Sequence, residues 1–279
     1  MADREVRYEF LRPAQLRAEM DRAPLVFLPV APLEYHGPHL PLGMDSINAT
    51  ECALGACRKL GKGVVMPTLH MGTERERPQW MLDSLGFSRS DWVVGMDFPT
   101  ATWQSHYYPE HIFGLIVASH LEMLIGQGYR AVVIVNGHGA WNQLETLERL
   151  SAHYTHTTPA VVKWKLAIVL DISEKHLAGH ADLVETSLML YYDKAGVSGG
   201  KSTDVSALPP KSVPIHYKDF SVVDGPGFSE KPAADRVVRN DPRDATAEKG
   251  KSIFEDTVAM YAELGAETLA EAVAHAQLR

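Results

Sequence analysis

Glu34, His36, His39 and Asp45 stand within one stretch of the chain, LPVAPLEYHGPHLPLGMD, residues 28–45. Glu34 and His36 are two residues apart, so on an extended backbone both side chains leave on the same side. Asp45 comes nine residues after His36, past a loop rich in proline and glycine that can fold back. Two later places carry side chains of the same kind. One is Asn136-Gly137-His138-Gly139; the other is Gly179-His180-Ala181, followed by Glu185-Thr186-Ser187. Histidines and carboxylates brought together suit zinc, manganese or a pair of such ions. Two metals about 3.5–4 Å apart can share a hydroxide and polarise a carbonyl, an arrangement used for hydrolysis.

Bringing these residues together requires elements that end at one place. The apolar run Leu25–Val30 reads as a buried strand that breaks at Pro32 into the ligand-rich loop. Val64–Leu69 is expected as a second strand and AVVIVNGHG as a third that runs straight into its turn; Val161–Asp171 adds one or two more segments. Helical spacing is read at 11–21, 46–60, 109–126, 142–154, 180–193 and 245–274, the second closing at Gly61 as a glycine stop does. Strands alternating with helices, and apolar throughout, point to an α/β fold with a mainly parallel sheet covered on both faces. In such sheets, sites form at the carboxyl ends of the strands. Residues 72–105 form a long irregular stretch with Trp80, Trp92 and Trp103, read as a wall or lid over the site. Residues 196–241, rich in Pro, Gly and Lys, read as an excursion from the sheet.

Composition narrows the function. The chain has 279 residues, 45% hydrophobic and 22% charged, enough to bury a full core. Its net charge of −8, with no basic run, argues against nucleic acid and anionic membrane as partners. No apolar run reaches the roughly 18 residues of a membrane span, and the N-terminus has no signal-peptide core, so a cytoplasmic location is expected. Cys52 and Cys57, five apart on an expected helix, point in different directions and read as core or semi-buried thiols.

Four segments resemble the creatininase family, the creatinine amidohydrolases and their relatives. LPVAPLEYHGPHLPLGMD is similar to its first signature and VIVNGHGAWN to its Asn-Gly-His-Gly turn. GHADLVETSLML is similar to its third signature, and NDPRDATAEKG to the segment that begins its last helix. The resemblance implies one domain over residues 1–279, a three-layer α/β/α sandwich, a dinuclear zinc or manganese site and a homo-oligomer, often a hexamer. By position it implies that Glu34, Asp45 and His138 hold one metal and that His36 and Asp45 hold the other, with Asp45 as the bridge. It makes His180 a proton donor to the leaving group, and Glu185 either a metal ligand or a partner of one.

One position departs from the family. Creatininases proper carry a glutamate two residues after the turn histidine, a ligand of the second metal; here Ala140 stands there, followed by Trp141. The departure argues against creatinine itself as substrate. The expected function is hydrolysis of a non-peptide C–N bond in a small polar substrate, a cyclic amide or formamide, by a metal-bound hydroxide. One alternative is C–C bond hydrolysis of a cyclic diketone of the keto-inositol (3-dehydro-scyllo-inosose) type. GMDFP (95–99) with the Gly-Ala-x-Asn turn resembles that branch. Another alternative is a metal-binding protein that has lost catalysis. Trp141, Trp103, Tyr107 and Asp97 are the candidates for substrate contact.

Other motifs carry less. His120 and Glu122 are two apart in an expected helix and face apart. AGVSGGKS (195–202) is a loosened phosphate-loop pattern without the strand–loop–helix context it needs. His39 is close enough to orient a ligand. His106, His111, His153, His156 and His176 have no partner spacing and read as solvent-facing.

Overall fold

The computed structural model describes residues 4–99, 101–168, 179–197, 201–215 and 240–277. Every described strand pair is parallel, in the order β2-β1-β4-β5, with β3 also on β1. The strands are β1 (Leu25–Ala31), β2 (Val64–Val65), β3 (Leu69–His70), β4 (Ala131–Asn136) and β5 (Val161–Leu166). All seven residues of β1 and all six of β4 are buried. That is why LVFLPVA and AVVIVN are apolar without alternation: both faces of these central strands are covered.

Helices α2 (Met44–Leu60) and α7 (Ala247–Gln277) cover one face. Phe27, Val133 and Val135 pack there with Ala53, Cys57 and Tyr261. Helices α4 (Glu110–Gln127) and α5 (Trp141–Thr157) cover the other, where Val26, Leu28 and Ile134 meet Phe113, Leu121 and Leu147. Leu16 and Met20 of α1 (Pro13–Arg22) pack at the margin of that second cluster. This is the expected three-layer arrangement. A third cluster joins α6 (Leu183–Lys194) to Met44 and to Ile253 of α7.

Three boundaries differ from the sequence expectation in ways that matter. The strand expected over 64–69 is two short pieces with Pro67 between them. The gap lies opposite Leu28 and Pro29 of β1, since β2 pairs with Val26 and Phe27, and β3 with Val30 and Ala31. Phe27 O accepts from Met66 N on this side and Val30 O from Gly137 N on the other. Backbone groups alternate along a strand, so the nitrogen of Pro29, which has no hydrogen, faces the gap and no ladder bond is lost. Second, α2 begins at Met44, so Asp45 lies in its first turn rather than in the loop. Third, α6 begins only at Leu183, because Asp182 caps it, accepting from Val184 N and Glu185 N. His180 therefore precedes the helix.

Residues 72–105 are less irregular than expected. They contain α3 (Gln79–Leu85) and a small cluster of Leu82, Val93 and Phe98. A bridge between Gly72 and Tyr107 ties the stretch to the edge of the sheet. Strand β5 ends at Leu166; residues 169–171, most of the 196–241 excursion, part of the 195–202 pattern and His176 fall outside the described residues. No helix among the described residues is long and apolar enough to cross a membrane.

Candidate metal centre

From β1 the chain passes through α2 to β2 on one side, while β4 lies on the other. The crevice at the carboxyl ends of β1 and β4 is therefore a topological switch point, where open α/β sheets bind ligands. Glu34 and His36 follow β1, Asp45 opens α2 and His138 follows β4, so all four arrive there. Gly137 makes the convergence possible. A Cβ at this position would lie 2.5 Å from the backbone oxygen of Asp45 and 2.8 Å from Ala31 Cβ, so only glycine lets the two strand exits approach this closely. Asn136 holds the turn: its side-chain amide donates to His138 O at 2.7 Å.

Asp45 lies between two histidines. Its Oδ1 is 3.2 Å from His36 Nε2 and its Oδ2 is 3.4 Å from His138 Nδ1. Glu34 Oε2 is 3.2 Å from His138 Nδ1, while Glu34 Oε1 accepts from the Tyr107 hydroxyl. Glu185 Oε2 is 3.5 Å from His36 Nε2 and accepts from Ala181 N at 2.6 Å. Ala181 has a φ of 51°, the one non-glycine residue with positive φ among those described. Its left-handed backbone turns the chain between His180 and the α6 cap, a strained conformation of the kind found at functional sites. His180 Nε2 lies 2.9 Å from the carbonyl of Tyr35, and its Nδ1 faces Glu34 Oε2 at 3.8 Å.

Ligand atoms of Glu34, Asp45 and His138 lie within 4.8 Å of one another, as do those of His36, Asp45 and Glu185. A third group, Glu34, His36 and His180, shares one residue with each of the first two. All six side chains are buried. The donor set is imidazole plus carboxylate, which zinc and manganese both accept. Two buried atoms of the site, Asp45 Oδ2 and His138 Nε2, have no hydrogen-bond partner among the described residues. Both observations fit a site built for divalent cations.

The electrostatics agree. Burial opposes a charged His36, but Asp45, Glu185 and Glu34 lift the ring to about 10. His138 is likewise held well above the ordinary histidine range by Glu34 and Asp45, against its burial. Burial would raise Glu34 and Asp45, yet His138 holds Glu34 down and His36 holds Asp45 down. Glu185, dominated by burial, is pushed up. In this arrangement the imidazoles carry the positive charge that the carboxylates require. His180 differs: burial first, then His36, lowers it to about 3, so its ring is neutral at physiological pH. Burial and His36 also lower His39, to about 4; its Nε2 lies 3.0 Å from the Thr186 hydroxyl, beside Glu185.

The candidates for substrate contact divide. Tyr107 reaches the site through Glu34, and burial together with Glu34 keeps its phenol protonated as a donor. Asp97 accepts from Ser105 N at 2.9 Å, and Ser105 Oγ accepts from Tyr35 N at 2.9 Å, so Asp97 pins the loop to the chain beside His36. Trp103 and Trp141 are 62% and 69% exposed; neither is packed as a wall within this chain. Glu74 went unremarked in the sequence. Its carboxylate is buried, with Oε1 3.9 Å from His138 Nε2 and 3.1 Å from Arg77 Nη2.

The family profile described as creatinine amidohydrolase matches residues 9–264. No curated protein matches the chain by sequence. Among solved structures, the chain is similar to a creatinine amidohydrolase (creatininase) at 20% identity. The match covers 95% of this chain and 98% of that one, with a TM-score of 0.65. A structure named creatininase Mn matches at 20% identity, covering 95% and 99%, with a TM-score of 0.64. A zinc–zinc form of a creatininase mutant matches at 21%, covering 95% and 99%, with a TM-score of 0.64. At such identities the structural likeness carries the fold.

Proposed function

The chain belongs to the creatininase family of metal-dependent amidohydrolases, and on that footing we propose that it hydrolyses a small polar substrate at a carbonyl, with two divalent ions in the site. The observation that carries the reading is the pair of ligand groups joined through Asp45, with His180 Nδ1 turned towards them. Glu34, Asp45 and His138 would hold one ion, and His36, Asp45 and Glu185 the other. Glu185 thus stands where Ala140 brings no carboxylate. Zinc and manganese are the candidates, in keeping with the donor set and with the names of two structural relatives. Such ions, when bound, lower the pKa of water and polarise a carbonyl.

The proton path belongs to the chain itself. A carbonyl can only accept, so the contact to Tyr35 O places the ring hydrogen of His180 on Nε2. Nδ1 then faces the site as a free base. The low pKa keeps it so at neutral pH. His180 therefore acts as acceptor first: it takes a proton from water in the site at Nδ1 and afterwards gives that proton to the departing group. The preferred substrates are cyclic amides and formamides, cleaved at a non-peptide C–N bond. A homo-oligomer is part of the reading, and light scattering measures it.

The test joins metal analysis to turnover on a panel of lactams, formamides and keto-inositols. Bound metal with C–N cleavage supports the proposal. Opening of a keto-inositol alone would move the chemistry to C–C bonds, and tight metal binding with no turnover of any member would leave a binding protein. His180→Gln should keep the metal and lower kcat by roughly a hundredfold or more, the usual contribution of a positioned acid–base group. Loss of metal in that variant would make His180 a ligand instead, in the third group.

A further inference from the structure

We propose that Glu74 is a positioning residue of this metal centre: its carboxylate faces the Nε2 of His138 and by its charge favours the ring orientation with Nδ1 aimed at Glu34 and Asp45. The inference rests on the metal-binding reading above. Three observations meet at this side chain. His138 Nε2 is buried without a hydrogen-bond partner, and Glu74 Oε1, at 3.9 Å, forms its one ion-pair contact on that side of the ring. On the opposite side, Nδ1 is 3.2 Å from Glu34 and 3.4 Å from Asp45, so the ligand nitrogen is Nδ1 and the free one is Nε2. Glu74 itself is held from behind: Oε1 accepts from Arg77 Nη2 at 3.1 Å and Oε2 from Arg75 N at 3.2 Å.

The loop that carries Glu74 is shaped to press it inward. Val94 and Asp97 exchange backbone hydrogen bonds of 3.0 and 2.9 Å, closing a tight turn around Gly95. Gly95 has a φ of 57°, and a Cβ there would lie 2.6 Å from both Glu74 Cγ and the Tyr107 hydroxyl. The same turn thus backs two side chains, each of which touches a different ligand: Glu74 at His138 and Tyr107 at Glu34. A ligating histidine whose other nitrogen donates to a carboxylate is fixed in tautomer and orientation, and made more basic.

The experiment measures zinc and manganese uptake by the full chain, in wild type, Glu74→Gln and Glu74→Ala, by calorimetric titration after removal of metal. The Gln variant keeps size and shape; its affinity should fall about tenfold, and that of Ala about a hundredfold, the range seen when such partners are lost. The loss should fall on the position that uses His138 and leave the His36 position unchanged, a split that a general loosening of the fold would not produce. Nitrogen NMR of histidine-labelled, zinc-loaded protein, in which ligation requires a neutral ring, gives a second readout. The His138 Nε2–H signal should be protected from solvent exchange in wild type and shift or exchange faster in Glu74→Ala. Wild-type affinity in both variants, or an unchanged His138 Nε2–H signal, overturns the proposal. Failure of the wild type to bind either metal overturns instead the reading on which it rests.

Discussion

Asp45 is the residue whose removal says most. It is the one carboxylate placed in both the Glu34–His138 and the His36–Glu185 groups, with one oxygen towards each histidine. Asp45→Asn keeps the shape of the side chain, removes a unit charge and turns amide hydrogens towards one of the two positions. Unit charges about 4 Å apart interact by about 4 kcal/mol at an effective dielectric of about 20, and a divalent ion roughly doubles that. Burial works the other way, because it penalises the ionised Asp45 when no metal is present. Taking about 4 kcal/mol as the net figure, each position should lose about three orders of magnitude in affinity.

The assay counts ions per chain after dialysis, with calorimetry for the affinities. Glu34→Gln and Glu185→Gln are the comparisons: the first should weaken the His138 position and the second the His36 position. Asp45→Asn should empty both. Two ions retained in Asp45→Asn would refute the bridging assignment outright. Loss of one ion only would assign Asp45 to a single metal and separate the two groups.

Two further outcomes test the frame around the site. Asp182→Ala removes the cap of α6, which accepts from Gly179 N, Val184 N and Glu185 N. The expected cost is about 1–2 kcal/mol, read as a lowered Tm, and an unchanged Tm would deny the cap its role. Cys52 and Cys57 should resist alkylation at pH 8 in the folded protein and react fully once unfolded; native labelling at the rate of a free thiol would contradict their burial. Burial pushes Cys52 up to about 12 and Cys57 to about 11, from 9.0. Folded pKa values above the unfolded one favour the folded state fully below about pH 9. That stabilisation is lost as pH rises through the folded values, so alkali should destabilise the protein from about pH 9 upward.

Much of this site could be read from the sequence because its parts are local. Glu34-x-His36 needs only an extended segment after an apolar strand, and Asn136-Gly137-His138-Gly139 only a turn after another. That both strands are wholly apolar already implied a covered parallel sheet. Glu74 was not legible. It lies in GTERER, where charges at nearly every position read as a solvated surface, and the turn at Gly95 that packs against it comes from later in the chain. Tyr107 gave no sign of its contact with Glu34, 73 residues away in sequence. The helix starts failed for a related reason. Periodicity alone starts the two helices at Ser46 and His180, whereas α2 begins at Met44, buried against α6, and α6 begins after the cap at Asp182.

Charge balance links the fold to the chemistry. Glu34 and Asp45 are buried as ionised carboxylates around a few ångströms of space, while burial pushes Glu185 towards its neutral form; the two charges cannot persist there without positive charge. In the metal-free chain His36 and His138 meet that need as imidazolium rings. Metal ligation requires neutral imidazole, so a metal ion held by these rings would displace protons from them. The exchange would keep charge inside the cluster, at ligand positions that the strand exits and Gly137 bring together. His180, neutral in the metal-free chain, stays outside this exchange and leaves Nδ1 free to take a proton from water.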